Sequence, residues 1–373
     1  MIALAVSAGL LLRSLNALLQ VDPGFSPHGA IAMRVDLAGR LNGPDRLPFF
    51  AQILERVAAV PGVYSAAFTS HVPMGDRLSM GWAPIPQDVE YRPAADDAAG
   101  RIVTPGYFTT AGIQLLEGRD FDSRDVQRNL FVMAINESFA KRIRGEGRDP
   151  LHSRFRVLGE VREIVAVVED VKDQVLYTEG GREVYIPMGQ APDSLQDYDL
   201  VVRADDPIRI ASTIRDAIWS IDRAQTLGNA VRLEAYIDRT LRGRRLLTEA
   251  ISAFAVIALV PVALFVYLFV SFGAAQRKKE IAIRVALGAP GGRVTRAVMT
   301  DAVMYVSLGL AAGVPLSLAA AAAIRSYLFG VGPTDHVTLV AVCLVVVGAA
   351  LVAAYVPARR ASRVDPIAAL RID

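Results

Sequence analysis

Hydrophobic and polar positions divide this chain into stretches of different grammar. The last third holds three long uncharged runs: Ala250 to Phe272, Ala302 to Ile324 between Asp301 and Arg325, and Val337 to Val356 just before Pro357, Arg359 and Arg360. A helix rises about 1.5 Å per residue and a hydrocarbon core is about 30 Å thick, so each run is long enough to span a bilayer. Crowded together, the runs leave no amphipathic partner that could cover them as buried core helices. A shorter apolar run, Ile2 to Leu12, is followed directly by Arg13 and falls short of the roughly 17 residues a span needs. It also lacks the basic segment that opens a signal peptide, so it reads as the outer end of a transmembrane helix whose beginning is cut off.

From Val21 to Arg245 the pattern changes to short alternating segments, the mark of mixed α and β structure. Ile31 to Leu37 predicts a strand, and Pro44 to Val60 an amphipathic helix with Leu47, Phe50, Leu54 and Val57 on one face, stopped at Pro61-Gly62. Val63 to Ser70 predicts the next strand. The same grammar recurs near Leu200 to Arg203: Asp206 is placed to cap a helix with Pro207 at its first position, Ile210, Ile214, Ala217 and Ile221 follow at helical spacing, and a strand comes near Val231. These two units flank a strand-rich middle with Phe131 to Ile135, Glu163 to Val168 and Glu183 to Ile186. The expected class is an α+β membrane protein: a mixed α/β, two-lobed extracytoplasmic core domain plus an α-helical transmembrane domain. Its expected divisions are a truncated first helix over 1–19, a core domain over 20–245 with an inserted lobe at about 100–190, three spans over 246–358, and a tail over 359–373.

Composition agrees with a membrane protein. The hydrophobic fraction is 53% and the mean hydropathy +0.34, both high for a soluble chain. A net charge of +2 gives no field that would draw the protein to nucleic acid. The position of the charges says more. Arg277, Lys278, Lys279, Arg284, Arg293 and Arg296 crowd the connection between the first two C-terminal spans, whereas Arg325 to His336 holds one basic residue. Positive charge marks the inner side, so the connection over 276–300 and the tail are expected in the cytoplasm and the core domain outside. Arg239, Arg242, Arg244 and Arg245 run against this rule, which long translocated domains escape.

Candidate chemistry is sparse. Cys343 is the lone cysteine and has apolar neighbours, and His28, His71, His152 and His336 lack metal-site spacing. Glu169, Asp170 and Asp173 read as a solvated turn, and Asp96-Asp97 and Asp205-Asp206 as turns or caps. A G-x-S-x-G elbow is absent. So is a phosphate-binding G-x-x-x-x-G-K-[ST]: the stretch Gly288 to Gly292 is a residue too short and is followed by Arg293. No catalytic residue, cofactor or metal site is expected. In the connection after the first C-terminal span, Glu280 and Arg284 sit four apart in the favourable helical order, and Gly288 with Pro290 would stop the helix. The alternation of Ile281, Ile283, Val285 and Leu287 would also suit a strand; the closeness of two spans favours helix. Apolar residues there gain nothing unless something covers them. Gly309 and Gly313 form G-x-x-x-G in the middle span, which allows close helix approach within one protomer or between two.

The run QRKKEIAIRVALGA, Gln276 to Ala289, and the run PARRASRVDPIAALR, Pro357 to Arg371, closely resemble the cytoplasmic connection and C-terminal signature of the MacB/FtsX family of ABC-transporter permeases. The likeness extends through VDPGF at Val21 to Phe25, PGV at Pro61 to Val63, GYF at Gly106 to Phe108 and EGRDF at Glu117 to Phe121, and is fullest to the second half of duplicated permeases. The sequence departs from those family members that carry an ATP-binding domain, since the phosphate-binding motif is missing, so energy is expected from a separate ABC ATPase subunit, or the protein does not transport. The resemblance implies a permease in which Arg277, Lys278, Glu280, Ile281, Arg284, Leu287 and Gly288 form the element that rests on that ATPase. Expected partners are a second permease half or second copy, an outer-membrane or periplasmic protein, and the lipid bilayer. Motion relayed to the outer domain would export an amphiphilic or lipid-linked cargo. The other family role, a relay that regulates an extracytoplasmic enzyme, is the alternative.

Overall fold

A computed structural model describes residues 1–36, 46–75, 80–82, 85–86, 98–126, 130–172, 176, 181–191, 197–277, 283 and 291–361. The chain divides into two compact units, one of Val21–Leu241 and one of Met1–Gln20 with Arg242–Asp373.

The Val21–Leu241 unit is built on one sheet. Its strands are β1 (Ala30–Asp36), β2 (Val63–Thr69), β3 (Met80–Trp82), β4 (Ile85–Pro86), β5 (Ala98–Val103), β6 (Leu115–Gly118), β7 (Val132–Asn136), β8 (Arg154–Val157), β9 (Glu160–Val168), β10 (Glu183–Pro187), β11 (Asp197–Ala204), β12 (Thr226–Leu227) and β13 (Val231–Arg232). The order is β12-β1-β11-β2-β5-β10-β7-β9-β8-β4, with β13 beside β1, β3 beside β5 and β6 beside β9. Pairing is antiparallel except between β5 and β10 and between β7 and β9. Strands from the two ends of the segment form one half of the sheet and strands from its middle the other. The halves meet where Thr69 of β2 pairs with Val103 of β5, reinforced by Ser70 N–H donating to the Ile102 carbonyl at 2.8 Å.

Side chains alternate across a strand, and here the alternation divides them between two faces. Ile31, Met33 and Val35 of β1, Met133 and Ile135 of β7, and Leu200 and Val202 of β11 face three helices: α2 (Arg46–Ala58) through Phe50, Ile53 and Val57, α4 (Glu137–Gly145) through Phe139 and Ile143, and α5 (Ala211–Trp219) through Ile214 and Ile218. The opposite face carries five alanines, Ala30, Ala32, Ala67, Ala134 and Ala166, with larger Val132, Val168, Tyr185 and Val201 among them, under Tyr107 and Phe108 of the short helix α3 (Tyr107–Ala111). Helix α4 begins as its sequence dictates, with Asn136 accepting from the Phe139 N–H and Glu137 in its first turn.

Two local expectations need correction. Helix α5 starts at Ala211, not at Pro207; Asp206 instead closes a turn, its carbonyl accepting from the N–H groups of Arg209 and Ile210. The run Glu169-Asp170 is not a solvated turn. Asp170 accepts from both the N–H and the hydroxyl of Ser138, in the first turn of α4, and Lys172 N–H donates to the Pro23 carbonyl. Burial first, and the nearby carboxylates of Asp22, Asp170 and Glu137 after it, push the Glu169 carboxyl above its usual range. Asp173 and Asp96-Asp97 lie outside the described residues.

The other unit is helical. The first helix, α1 (Ile2–Leu19), does not stop at Arg13 and is 18 residues long. Arg13, within this helix, is accommodated by an ion pair with Asp335. Helix α6 (Leu233–Gln276) is one unbroken helix of 44 residues, with Leu233, Tyr236 and Ile237 packed in the core and Ala250 to Phe272 within its later part. It begins well before the apolar run because its first turns are rich in Arg, Glu and Asp. Helices α7 (Gly291–Ala323) and α8 (His336–Ala361) follow. Among the described residues, four segments are long and apolar enough to cross a membrane: Ile2–Leu19, part of Leu233–Gly273, Ala302–Ala323 and His336–Arg360. Large side chains such as Phe254, Ile257, Phe265, Leu308 and Leu344 stand exposed along them, as a lipid-facing surface requires.

Candidate functional site

The connection between α6 and α7 is the candidate coupling element. Arg277 is an exposed turn residue directly after α6, its N–H donating to the Gly273 carbonyl. Lys278, Glu280, Ile281, Arg284, Leu287 and Gly288 lie outside the described residues, whereas Ile283 is exposed. What the structure does show is how the helix ends beside this connection are held. Val270 of α6 packs with Ala302 of α7 and Ala354 of α8, with Val266 and Met299 against them. The Phe269 and Tyr305 rings meet edge to face with centroids 4.8 Å apart. Arg360, within the C-terminal signature, donates to the Tyr267 hydroxyl at 3.1 Å. These residues were missed in the sequence because apolar and aromatic positions within a span carry no mark of which neighbour they meet.

The two glycines of G-x-x-x-G have different surroundings. A Cβ placed on Gly313 would stand 2.4 Å from Ile2 Cδ1 of α1, so this glycine lets α1 lie close against α7. At Gly309 a Cβ would meet no described atom within 4 Å.

At the opposite ends of α7 and α8, the loop between them is strapped down. Ser14 of α1 accepts from the Phe329 N–H at 2.7 Å, and Arg244 of α6 donates to the Tyr327 carbonyl at 2.7 Å. Asp335, just before α8, pairs with Arg13 and caps the helix by accepting from the N–H and hydroxyl of Thr338. The Thr338 hydroxyl, with help from Arg13, holds the Asp335 carboxyl below its usual range.

Polar groups inside the core unit are sealed. Arg101 and Glu183 pair at 2.8 Å, Arg101 donates to the Tyr107 hydroxyl at 2.9 Å, and the Tyr185 hydroxyl donates to Glu183 at 2.7 Å. Burial raises both phenols further above neutrality, which keeps them protonated as donors. The Arg162 guanidinium donates to both the side-chain oxygen and the backbone carbonyl of Gln190, and desolvation lowers it to about 10. Arg101, Tyr107 and Tyr185 are 0% exposed, so this cluster offers no substrate access and serves as structure.

An α/β unit followed by helices long and apolar enough to cross a membrane defines the class, a membrane protein with a folded domain outside its spans. The model of the MacB-like periplasmic core domain matches residues 11–218, and that of the FtsX-like permease C-terminal matches residues 252–366. The chain belongs to the MacB/FtsX-like family of ABC-transporter permeases.

The chain is similar to a probable export ATP-binding/permease protein of Pseudomonas fluorescens, 28% identical over 76% of this chain and 45% of the relative. It is also similar to the macrolide export ATP-binding/permease protein MacB of Rhodospirillum rubrum, 26% identical over 85% and 48%, and to the probable syringafactin export ATP-binding/permease protein SyfD of Pseudomonas syringae, 27% identical over 76% and 44%. The chain spans less than half the length of each of these relatives. Among solved structures, the periplasmic region of MacB from Actinobacillus actinomycetemcomitans aligns at a TM-score of 0.41 with 13% identity, over 61% of this chain and 98% of that one.

Proposed function

We propose that this chain is the permease subunit of an ABC-type exporter of the inner membrane, crossing it several times and relaying the motion of a separate ATPase to its extracytoplasmic domain. The observation that carries the reading is a single helix, α6, that starts at the last strand of the core unit and runs through an apolar span to Gln276, where the family's coupling sequence begins. A helix transmits a push along its axis because its turns are braced by backbone hydrogen bonds, of which α6 lacks the one that Pro261, having no N–H, cannot donate. The coupling element comprises Arg277, Lys278, Glu280, Ile281, Arg284, Leu287 and Gly288, and the clasp of Tyr267, Phe269 and Val270 to α7 and α8 spreads its movement to the other spans. Because relatives bear names of macrolide and syringafactin exporters, an amphiphilic or lipid-linked cargo is the class proposed. The chain acts with a second permease half or copy and catalyses no reaction itself.

The test is reconstitution with the partner ATPase in vesicles. Glu280→Ala and Leu287→Ala should uncouple ATP hydrolysis from transport, and unchanged coupling in both removes the assigned role. The side of the core unit is checked separately with Leu158→Cys, an exposed core position, in a Cys343→Ser background; labelling from the cytosol in intact cells refutes the orientation.

A further inference from the structure

Among the described residues, three helices of the helical unit carry a proline: Pro261 in α6, Pro315 in α7 and Pro357 in α8. A proline offers no N–H to the carbonyl four residues back, and its ring presses on that carbonyl, so a helix bends there unless its neighbours hold it straight. The three sites differ in what holds them. Pro357 is buried, as are Ala354 and Ala358 on either side of it. Pro315 is exposed, but Gly313 lies against Ile2 of α1 and Ser317 is fully buried. Around Pro261 the described residues provide no such hold: from Val256 to Phe269 no side chain of α6 is buried, and Ile257, Val260, Leu264 and Phe265 are more than half exposed.

On both sides of that stretch α6 is fastened. In the half that ends at Gln276, Val270 packs with Ala302 of α7 and Ala354 of α8, and the Tyr267 hydroxyl accepts from Arg360. In the half that begins at Arg242, Thr248 and Ala255 are buried, Leu247 meets Leu15 of α1 in a narrow crevice, and Arg244 donates to the Tyr327 carbonyl. The Arg244 bond is solvent-exposed, so water can replace it, whereas nothing in water replaces the apolar cluster at Val270.

The position of Pro261 also sets the direction of bending. It precedes Val270 by nine residues, about two and a half turns at 3.6 residues per turn, so the two lie on opposite faces of α6. Pressure of the ring on the Ile257 carbonyl lengthens the Pro261 face and curves α6 toward the side on which Val270 meets α7 and α8. Straightening α6 while Val270 stays packed carries the Arg242 half away from that side.

We propose that Pro261 is a joint in α6: the Gln276 half stays clasped to α7 and α8 while the Arg242 half swings away from α1 and the loop before α8, with the Arg244 bond to Tyr327 as its latch. The other two prolines, pinned by their neighbours, are not joints. The part this joint plays in the relay rests on the function proposed above, but its existence does not.

The experiment follows the full chain alone in lipid nanodiscs, without ATPase or nucleotide, so that failure of the joint and failure of the relay reading are distinguishable. In a Cys343→Ser background, nitroxides at Leu246→Cys with Val337→Cys, and at Phe272→Cys with Tyr355→Cys, report the two halves of α6 against α8 by double electron-electron resonance; all four side chains are exposed. Arg244→Ala should open the latch and give the Leu246 and Val337 pair a second distance population about 8 Å longer, the sweep of an arm of about 22 Å through about 20°. The Phe272 and Tyr355 pair should keep its distance. Pro261→Ala or Pro261→Leu, either of which returns the missing N–H, should remove the longer population from the Arg244→Ala chain, whereas Pro315→Ala should leave it. Absence of that population in the Arg244→Ala chain, its persistence with both Pro261 variants, its loss with Pro315→Ala, or an equal change at the Phe272 and Tyr355 pair overturns the proposal.

Discussion

Arg101 and Glu183 meet across the parallel pair β5 and β10, 2.8 Å apart and both hidden from solvent. Removing one partner strands the other charge in a low-dielectric interior, which costs about 3–5 kcal/mol. Arg101→Met should therefore destabilise the core unit by that amount, while the paired change Arg101→Met with Glu183→Leu should cost clearly less. Urea unfolding of the solubilised chain, followed by protease resistance of the core unit, separates the two; a double variant as unstable as the single one contradicts this account of the pair.

Gly24 and Gly62 both have positive φ, +75° and +89°, but a Cβ on Gly24 would stand 1.9 Å from the Asp170 carbonyl oxygen whereas Gly62 has open space. Both alanine variants suffer the backbone strain of roughly 1–2 kcal/mol. Gly24→Ala must in addition displace backbone, so it should lose roughly twice as much or more and free the VDPGF segment from the backbone at Asp170. Equal stability losses for the two variants would count against the tight approach.

Glu163 accepts from His152, and Arg154 pairs with it. The His152 hydrogen bond first, and Arg154 next, hold the Glu163 carboxyl below its usual range. A carboxylate depressed in the folded state adds stability that is fully present above its unfolded value of about 4.3 and disappears as pH falls through the lower folded value. Glu163→Gln should thus unfold at a midpoint less sensitive to pH below about 4.3 than the unchanged chain. Parallel pH curves for the two proteins would exclude the linkage.

Gly313 touches Ile2, while Gly309 does not meet a described neighbour. Gly313→Leu should force α1 away from α7 and lower the melting temperature in detergent, with partial recovery on adding Ile2→Ala. Gly309→Leu should be nearly neutral in the monomeric chain. A larger loss from Gly309→Leu than from Gly313→Leu would reverse this assignment.

Much of the fold was readable from periodicity. Ile31, Met33 and Val35 alternate as a half-covered strand should, and the expected face of α2 contains Phe50 and Val57, both buried, with Leu47 and Leu54 partly so. What could not be read are contacts set by distant partners. Arg101 and Arg162 look solvated in a sequence because charged residues usually are; their partners Glu183 and Gln190 lie far along the chain. Arg13 seemed to end the first apolar run because Asp335, which neutralises it, is remote in sequence. The cap at Asp206 failed for another reason: Asp followed by Pro starts a turn as readily as a helix. Of the candidate site, Gly309 and Gly313 were found by spacing, but only position in the fold reveals that they differ, and the clasp at Tyr267 and Arg360 had no local signal.

The continuity of α6 also constrains how this chain can change. Thr248 and Val270, both on the stretch of α6 that belongs to the helical unit, are buried, and each residue adds about 100° of rotation at 3.6 residues per turn. Inserting one residue between them would turn Val270 away from Ala302 and Ala354, whereas inserting seven or eleven would restore nearly the original angular phase. Length variation in this rod should therefore be tolerated only in whole-turn steps, as gear teeth tolerate only whole-tooth shifts.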